Sequence, residues 1–137
     1  MIKAIIVDYY GVLARQVHGG WQLDDHLVNL LQNLRQSCKI GLISNSYAKE
    51  VHELDPHLDA GLFDLVLIGG ATGLWKPATI VYETAAQKLD LAPEQILAVD
   101  DNVSHLEAAA QVGFATLRYT NLADFQAQIT RLLQNAK

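Results

Sequence analysis

Apolar residues along the chain fall into two patterns. Short, nearly unbroken runs at Ile5-Ile6-Val7, Ile40-Gly41-Leu42-Ile43, Leu65-Val66-Leu67-Ile68, Ile96-Leu97-Ala98-Val99 and residues 115–119 predict strands buried on both faces. Elsewhere the apolar positions recur at helical spacing. Leu27, Leu30, Leu31 and Leu34 predict a helix capped by Asp24 or Asp25, and Ile80, Val81, Thr84, Ala85 and Leu89 predict another with Pro77 in its first turn. A third helix runs from about Ser104 to Val112 and stops at Gly113, and Asn121 caps a fourth whose stripe is Leu122, Phe125, Ile129, Leu132 and Leu133. Gly19-Gly20 reads as the tight turn of a small hairpin, and Gly69, Gly70 and Gly73 as a loop. Residues 47–54 read as a short helix closed by Pro56, and residues 58–63 as a turn or helical fragment.

Strands that alternate with helices imply a parallel sheet with both faces covered. Right-handed crossovers then give a three-layer α/β/α sandwich around five parallel strands. At 137 residues the chain is long enough for one core and too short for two, so residues 1–137 are expected to form a single domain. Half the residues are apolar and 18% are charged, which excludes a disordered chain. A net charge of −5 with scattered Lys and Arg argues against a nucleic-acid surface. Cys38 is alone, which leaves no disulfide framework or multi-cysteine metal site and fits a reducing cytoplasm. No apolar run approaches a membrane span, and Met1 leads directly into the first strand without a signal peptide. These features predict a soluble, cytoplasmic protein.

In a parallel sheet every strand ends on the same edge, where such folds place their chemistry. That edge collects Asp8, Ser44-Asn45 and the pair Asp100-Asp101, with Lys76 arriving from the loop after the third strand. Taken singly, Asp8 could begin a turn, Ser44 could cap a helix, Lys76 could be a solvated surface residue and the paired acids could cap the helix after them. One phosphate-and-metal site accounts for the whole set.

Four ordered segments then resemble the motifs of the haloacid dehalogenase superfamily, mostly phosphatases and phosphotransferases with some true dehalogenases. They are Val7-Asp8-Tyr9-Tyr10-Gly11-Val12-Leu13; Leu42-Ile43-Ser44-Asn45-Ser46; Gly73-Leu74-Trp75-Lys76-Pro77 followed by Tyr82; and Leu97-Ala98-Val99-Asp100-Asp101-Asn102 leading into Glu107-Ala108-Ala109. The resemblance implies the sheet order third-second-first-fourth-fifth. It also implies a hydrolase in which Asp8 attacks phosphorus and forms an aspartyl-phosphate. Mg2+ would be held by Asp8, Asp101 and the backbone carbonyl of Tyr10, with Asp100 as an outer partner or a ligand through water. Lys76 would offset phosphate charge and keep Asp8 ionised, while Ser44 and the Asn45 backbone amide would bind phosphate oxygens.

The chain departs from the family pattern twice. Phosphatases of the family usually carry a second Asp where this chain has Tyr10, to protonate the leaving group and then activate water. A phenol with a pKa of about 10 can donate that proton but is a poor base afterwards, which predicts slow turnover. True dehalogenases also carry Tyr there, so a 2-haloacid dehalogenase and a catalytically impaired binding or regulatory member are the alternatives. The acidic pair at positions 100–101 favours the metal-dependent phosphatase. Secondly, only residues 14–39 separate the first two motifs, too few for the usual helical cap. An uncapped site suits a large phosphorylated substrate or a lid from another subunit in a homo-oligomer. Arg15 and Trp21 on the hairpin, and Trp75 beside Lys76, are candidates to cover it. His105, about one helical turn beyond Asp101, can face the same rim, whereas His18, His26, His52 and His57 lack ligand spacing and read as surface residues.

Overall fold

The computed structural model describes residues 1–47 and 61–134. Its elements are β1 (Ala4–Val7), β2 (Ala14–Val17), β3 (Gly20–Leu23), α1 (Asp25–Leu34), β4 (Lys39–Ser44), β5 (Leu65–Ile68), α2 (Gly69–Thr72), α3 (Thr79–Leu89), β6 (Ile96–Asp100), α4 (Val103–Val112), β7 (Ala115–Arg118) and α5 (Leu122–Gln134). Five of the strands form a parallel sheet in the order β5-β4-β1-β6-β7, the order that the resemblance implied, while β2 and β3 pair as a separate hairpin.

Alternation along the central strands divides the core into two layers. Ile5, Val7, Ile40, Leu42, Leu97 and Val99 pack with Leu27 and Leu31 of α1 and Phe125 and Ile129 of α5. Ala4, Ile6, Ile43, Ile96 and Ala98 pack with Val81, Ala85 and Leu89 of α3 and Leu106 and Ala109 of α4. The result is an α/β/α sandwich. Asp24 accepts from the N–H groups of His26 and Leu27 to cap α1, and Asn121 accepts from that of Asp124 to cap α5.

Several local expectations are corrected. The hairpin turns at His18 and Gly19, with φ of +48° and +80°, whereas Gly20 already pairs with Val17. A two-residue turn of this hand needs positive φ at both positions, so it sits one residue earlier than the glycine pair suggested. Residues 69–72 form one helical turn instead of a loop, closed by Gly73 at φ +75° and by the Thr72 hydroxyl donating to the Ile68 carbonyl. Pro77 lies before α3, which begins at Thr79. The inward face of α3 is Val81, Tyr82, Ala85, Ala86 and Leu89, so Ile80 and Thr84 fall on a neighbouring row and Ile80 is exposed. The helix after the acidic pair is capped by Asn102, whose side chain accepts from the N–H groups of Ser104 and His105, and not by either Asp. The expectations for residues 47–54 and 58–60, with His52 and His57, lie outside the described residues apart from Tyr47. Among the described residues, no helix is long and apolar enough to cross a membrane.

Candidate active site

Strand register decides which side chains meet. Val7 pairs with Val99 on one side and Leu42 on the other, so Asp8 and Asp100 stand level one step further on, with Ser44 just beyond on β4. Val7 and Val99 point into the α1/α5 layer, so alternation sends Asp8 and Asp100 towards the α3/α4 layer. Lys76 enters from that layer. Its Nζ donates to Asp8 Oδ1 at 2.8 Å and to Asp100 Oδ2 at 2.9 Å, with all three residues buried.

The backbone of Lys76 is fixed by a two-point clamp. Its N–H donates to Asn45 Oδ1 at 2.9 Å, and Asn45 Nδ2 donates to its carbonyl at 3.0 Å. Sequence reasoning assigned Asn45 a backbone role and missed this side-chain function, because the partner lies 31 residues away and no local pattern marks it. Among the described residues the buried Ser44 hydroxyl has no hydrogen-bond partner, a costly state for a polar group and one that a phosphate oxygen at this strand end would relieve.

The three carboxyl groups titrate differently. Burial pushes Asp8 up to about 6, with repulsion from Asp100 and Asp101 adding to the rise and Lys76 partly opposing it. Burial also acts upward on Asp100, but Lys76, the Asn102 N–H and His105 together hold it below the usual carboxylate range. Partial desolvation and the neighbouring Asp100 raise Asp101. Beneath them, burial and the charges of Asp100 and Asp8 push the Tyr82 phenol well up. His105 does face the rim: its Nδ1 lies 3.0 Å from Asp100 Oδ2.

Asp8, Asp100 and Asp101 each offer an oxygen, all within 4.8 Å of one another. This all-oxygen anionic set suits a hard divalent cation. Gly11, at φ +88°, carries the chain past Asp101 so closely that a Cβ there would collide with the Asp101 carboxylate.

On the hairpin side, the Tyr10 ring packs edge-on between Tyr9 and Trp21, with centroid separations of 4.7 Å to each. Arg15 lines a recess of about 260 Å³ with Asp24, His26, Tyr119 and Asn121, next to the end of β7. Trp75 lies against Gly69, with its ring 5.1 Å from that of Tyr47.

A family model described as haloacid dehalogenase-like hydrolase matches residues 2–113. The chain belongs to this hydrolase family. It is 28% identical over 109 residues to the sesquiterpene phosphatase astK of Aspergillus oryzae, covering 78% of this chain and 56% of that protein. The chain thus spans little more than half the length of this curated relative. The same fold occurs in a HAD-like hydrolase of Porphyromonas gingivalis, with a TM-score of 0.81 and 18% identity over 97% of this chain and 98% of that one. It also occurs in a HAD enzyme of Bacteroides thetaiotaomicron solved with magnesium and inorganic phosphate, with a TM-score of 0.79 and 12% identity over 88% and 95% of the two chains. A Corynebacterium glutamicum protein aligns over 98% and 94% with a TM-score of 0.76 and 24% identity.

Proposed function

We propose that this chain is a single, uncapped HAD-like core that hydrolyses phosphate monoesters through an aspartyl-phosphate on Asp8, with Mg2+ as cofactor. The observation that carries the reading is the buried Lys76 ammonium joining Asp8 to Asp100, with Asp101 completing an oxygen cluster, at the sheet edge that also carries Ser44, whose hydroxyl has no hydrogen-bond partner among the described residues. The curated relative named as a phosphatase and the same-fold enzyme holding magnesium and phosphate support it.

Asp8 and Asp101, with the Tyr10 backbone carbonyl, would hold Mg2+, and Asp100 would orient the site from behind or through water. When bound, the cation supplies charge that offsets the repulsion between carboxylate and phosphate. Ser44 and the Asn45 backbone amide bind phosphate oxygens, while the Asn45 side chain keeps Lys76 in place. An Asp8 oxygen forms a bond to phosphorus as the bond to the alcohol oxygen breaks, and that oxygen takes a proton from Tyr10 or water. Water then attacks phosphorus, releasing phosphate and restoring the Asp8 carboxylate. The test is phosphate release from an aryl phosphate, expected with Mg2+ and lost with a chelator. Metal-independent halide release from a 2-haloacid would instead favour dehalogenation, the reading that Tyr10 alone supports.

Tyr10 should limit the rate. Replacing it with Asp restores a group that can give and then take a proton, and Tyr10→Asp is expected to raise kcat by about 10²-fold or more. An unchanged kcat would place the slow step elsewhere.

Gly11→Ala tests the metal site. Left-handed φ costs an alanine about 1–2 kcal/mol, and the added methyl must also displace Asp101. Gly19→Ala is the control, because its φ of +80° carries similar strain but the position has open space around it. Both variants are expected to lose Tm, and Gly11→Ala alone to need at least about tenfold more Mg2+ for half-maximal activity.

A further inference from the structure

The described large apolar side chains that stand exposed are Met1, Trp21, Tyr47, Ile80 and Val103. Met1 precedes β1 and lies at the far edge of the sheet. The other four belong to segments at the edge that carries Asp8. Trp21 is in the hairpin after β1, and Tyr47 is three residues beyond the end of β4. Ile80 is in the first turn of α3 after Lys76, and Val103 opens α4 beside Asp101 and Asn102. Exposed apolar residues scattered singly need no explanation, but their concentration at one edge does.

Two of the four are braced. Trp21 packs on Tyr10, itself seated on the α1/α5 core, and Tyr47 packs on Trp75, which is pressed against Gly69 and adjoins Lys76. Aromatic rings held in this way bury apolar surface at little cost in side-chain freedom. Charge points the same way. In the described loops beyond β4 and β5, residues 44–47 and 69–78, Lys76 is the only charged residue, and it is buried between two carboxylates. Arg15 and Arg118 lie instead towards β7, in the hairpin and on that strand. Among the described residues, the β4/β5 side therefore offers aromatic surface and no further cation for a second phosphate.

Resting on the phosphatase reading, we infer that the substrate is a phosphate monoester of an apolar alcohol or phenol. Its hydrocarbon part runs out over the rim along the Trp75–Tyr47 and Tyr10–Trp21 pairs while its phosphate sits at Asp8.

The experiment uses n-alkyl monophosphates of two to ten carbons below their micelle concentrations, with glucose 6-phosphate and AMP as comparators. With wild type and Mg2+, kcat/KM is expected to rise about two- to fourfold per methylene over the first several carbons. Trp21→Ala and Tyr47→Ala should flatten that gradient. Titration calorimetry on Asp8→Asn with Mg2+ and the same esters should give the matching gradient in Kd. Turnover that is flat with chain length, or faster on glucose 6-phosphate or AMP, overturns the inference and leaves the phosphatase reading standing. Absence of phosphate release from every ester overturns that reading, and the Kd gradient then decides the rim by itself: a steep one supports the apolar assignment and a flat one overturns it. Light scattering reports the competing occupant. A dimer that dissociates in Trp21→Ala means that a second copy covers these side chains and overturns the assignment, whereas a monomer that keeps the gradient supports it.

Discussion

Asp8→Asn is expected to abolish turnover and, in metal-free buffer near neutral pH, to make the protein more stable. Loss of the nucleophile should lower kcat by at least about 10³-fold. The stability gain follows from the elevated pKa. Asp8 titrates at about 6 in the fold against 3.8 for a free aspartate, because burial and the neighbouring acids penalise its charge more than Lys76 relieves it. A group whose folded pKa is raised contributes stability below its unfolded pKa and loses it as pH rises through the folded one. Wild type therefore loses stability between about pH 4 and pH 6, a window over which Asn, always neutral, loses none at this position. At pH 7 the difference is on the order of 2–3 kcal/mol in favour of the variant. The measurement is thermal unfolding of both proteins in EDTA at pH 4, 5, 6 and 7. The curves should lie close at pH 4 and separate progressively above it. Adding Mg2+ should then raise the wild-type Tm and leave the variant much less affected, closing the gap. A variant less stable than wild type at pH 7 would mean that the bond to Lys76 outweighs the burial of the Asp8 charge.

This balance explains how far the site could be read in the sequence. Strand runs and their order place Asp8, Ser44 and Asp100 on one edge, because parallel topology leaves them nowhere else to end. The family resemblance implied the sheet order before any pairing was known, which the strand pattern alone could not do. The contacts were less legible, since they depend on register and on loops that cross the edge. A single ammonium touches both Asp8 and Asp100 because Val7 and Val99 are directly paired, and one step of slippage would separate the carboxylates. The Asn45 clamp on the Lys76 backbone depends on the path of the chain after α2, and residues 69–72 read as a loop. His105 could be placed on the rim by its position about one helical turn beyond Asp101. Its partner Asp100 was not legible, because the five positions separating them cross a strand end and a helix cap, where neither a period of 2 nor one of 3.6 applies. The packing of Tyr10 against Trp21 was equally hidden, since hairpin register turns on the left-handed conformation of His18, which is uncommon outside glycine even though histidine adopts it more readily than most residues.

Lys76→Met should produce the largest loss of stability among these substitutions, because it removes the ammonium bonded to two buried carboxylates. Breaking a buried pair by deleting one partner typically costs about 3–5 kcal/mol, since the remaining charge stays desolvated. Methionine fills similar volume, so the loss reports charge and not a cavity. The pH dependence separates the causes. In wild type Asp100 is held below 3.8, so it contributes stability above its unfolded pKa and loses it as pH falls through the folded one. Without Lys76, burial acts unopposed on Asp8, and on Asp100 only the Asn102 N–H and His105 remain against it. Both pKa values then rise, and stability is lost as pH increases. The gap between wild type and variant should therefore be wide in urea denaturation at pH 8 and narrow at pH 5. A gap of equal size at both values would mean that Lys76 acts by packing alone. Lys76→Arg should not restore the enzyme, because a planar guanidinium cannot replace a compact ammonium donating at 2.8 and 2.9 Å to two separate carboxylates. Mg2+ should recover part of the lost stability in Lys76→Met by returning positive charge to the same oxygens. It should not recover turnover, because the phosphate would still meet Asp8 without the ammonium that offsets its charge.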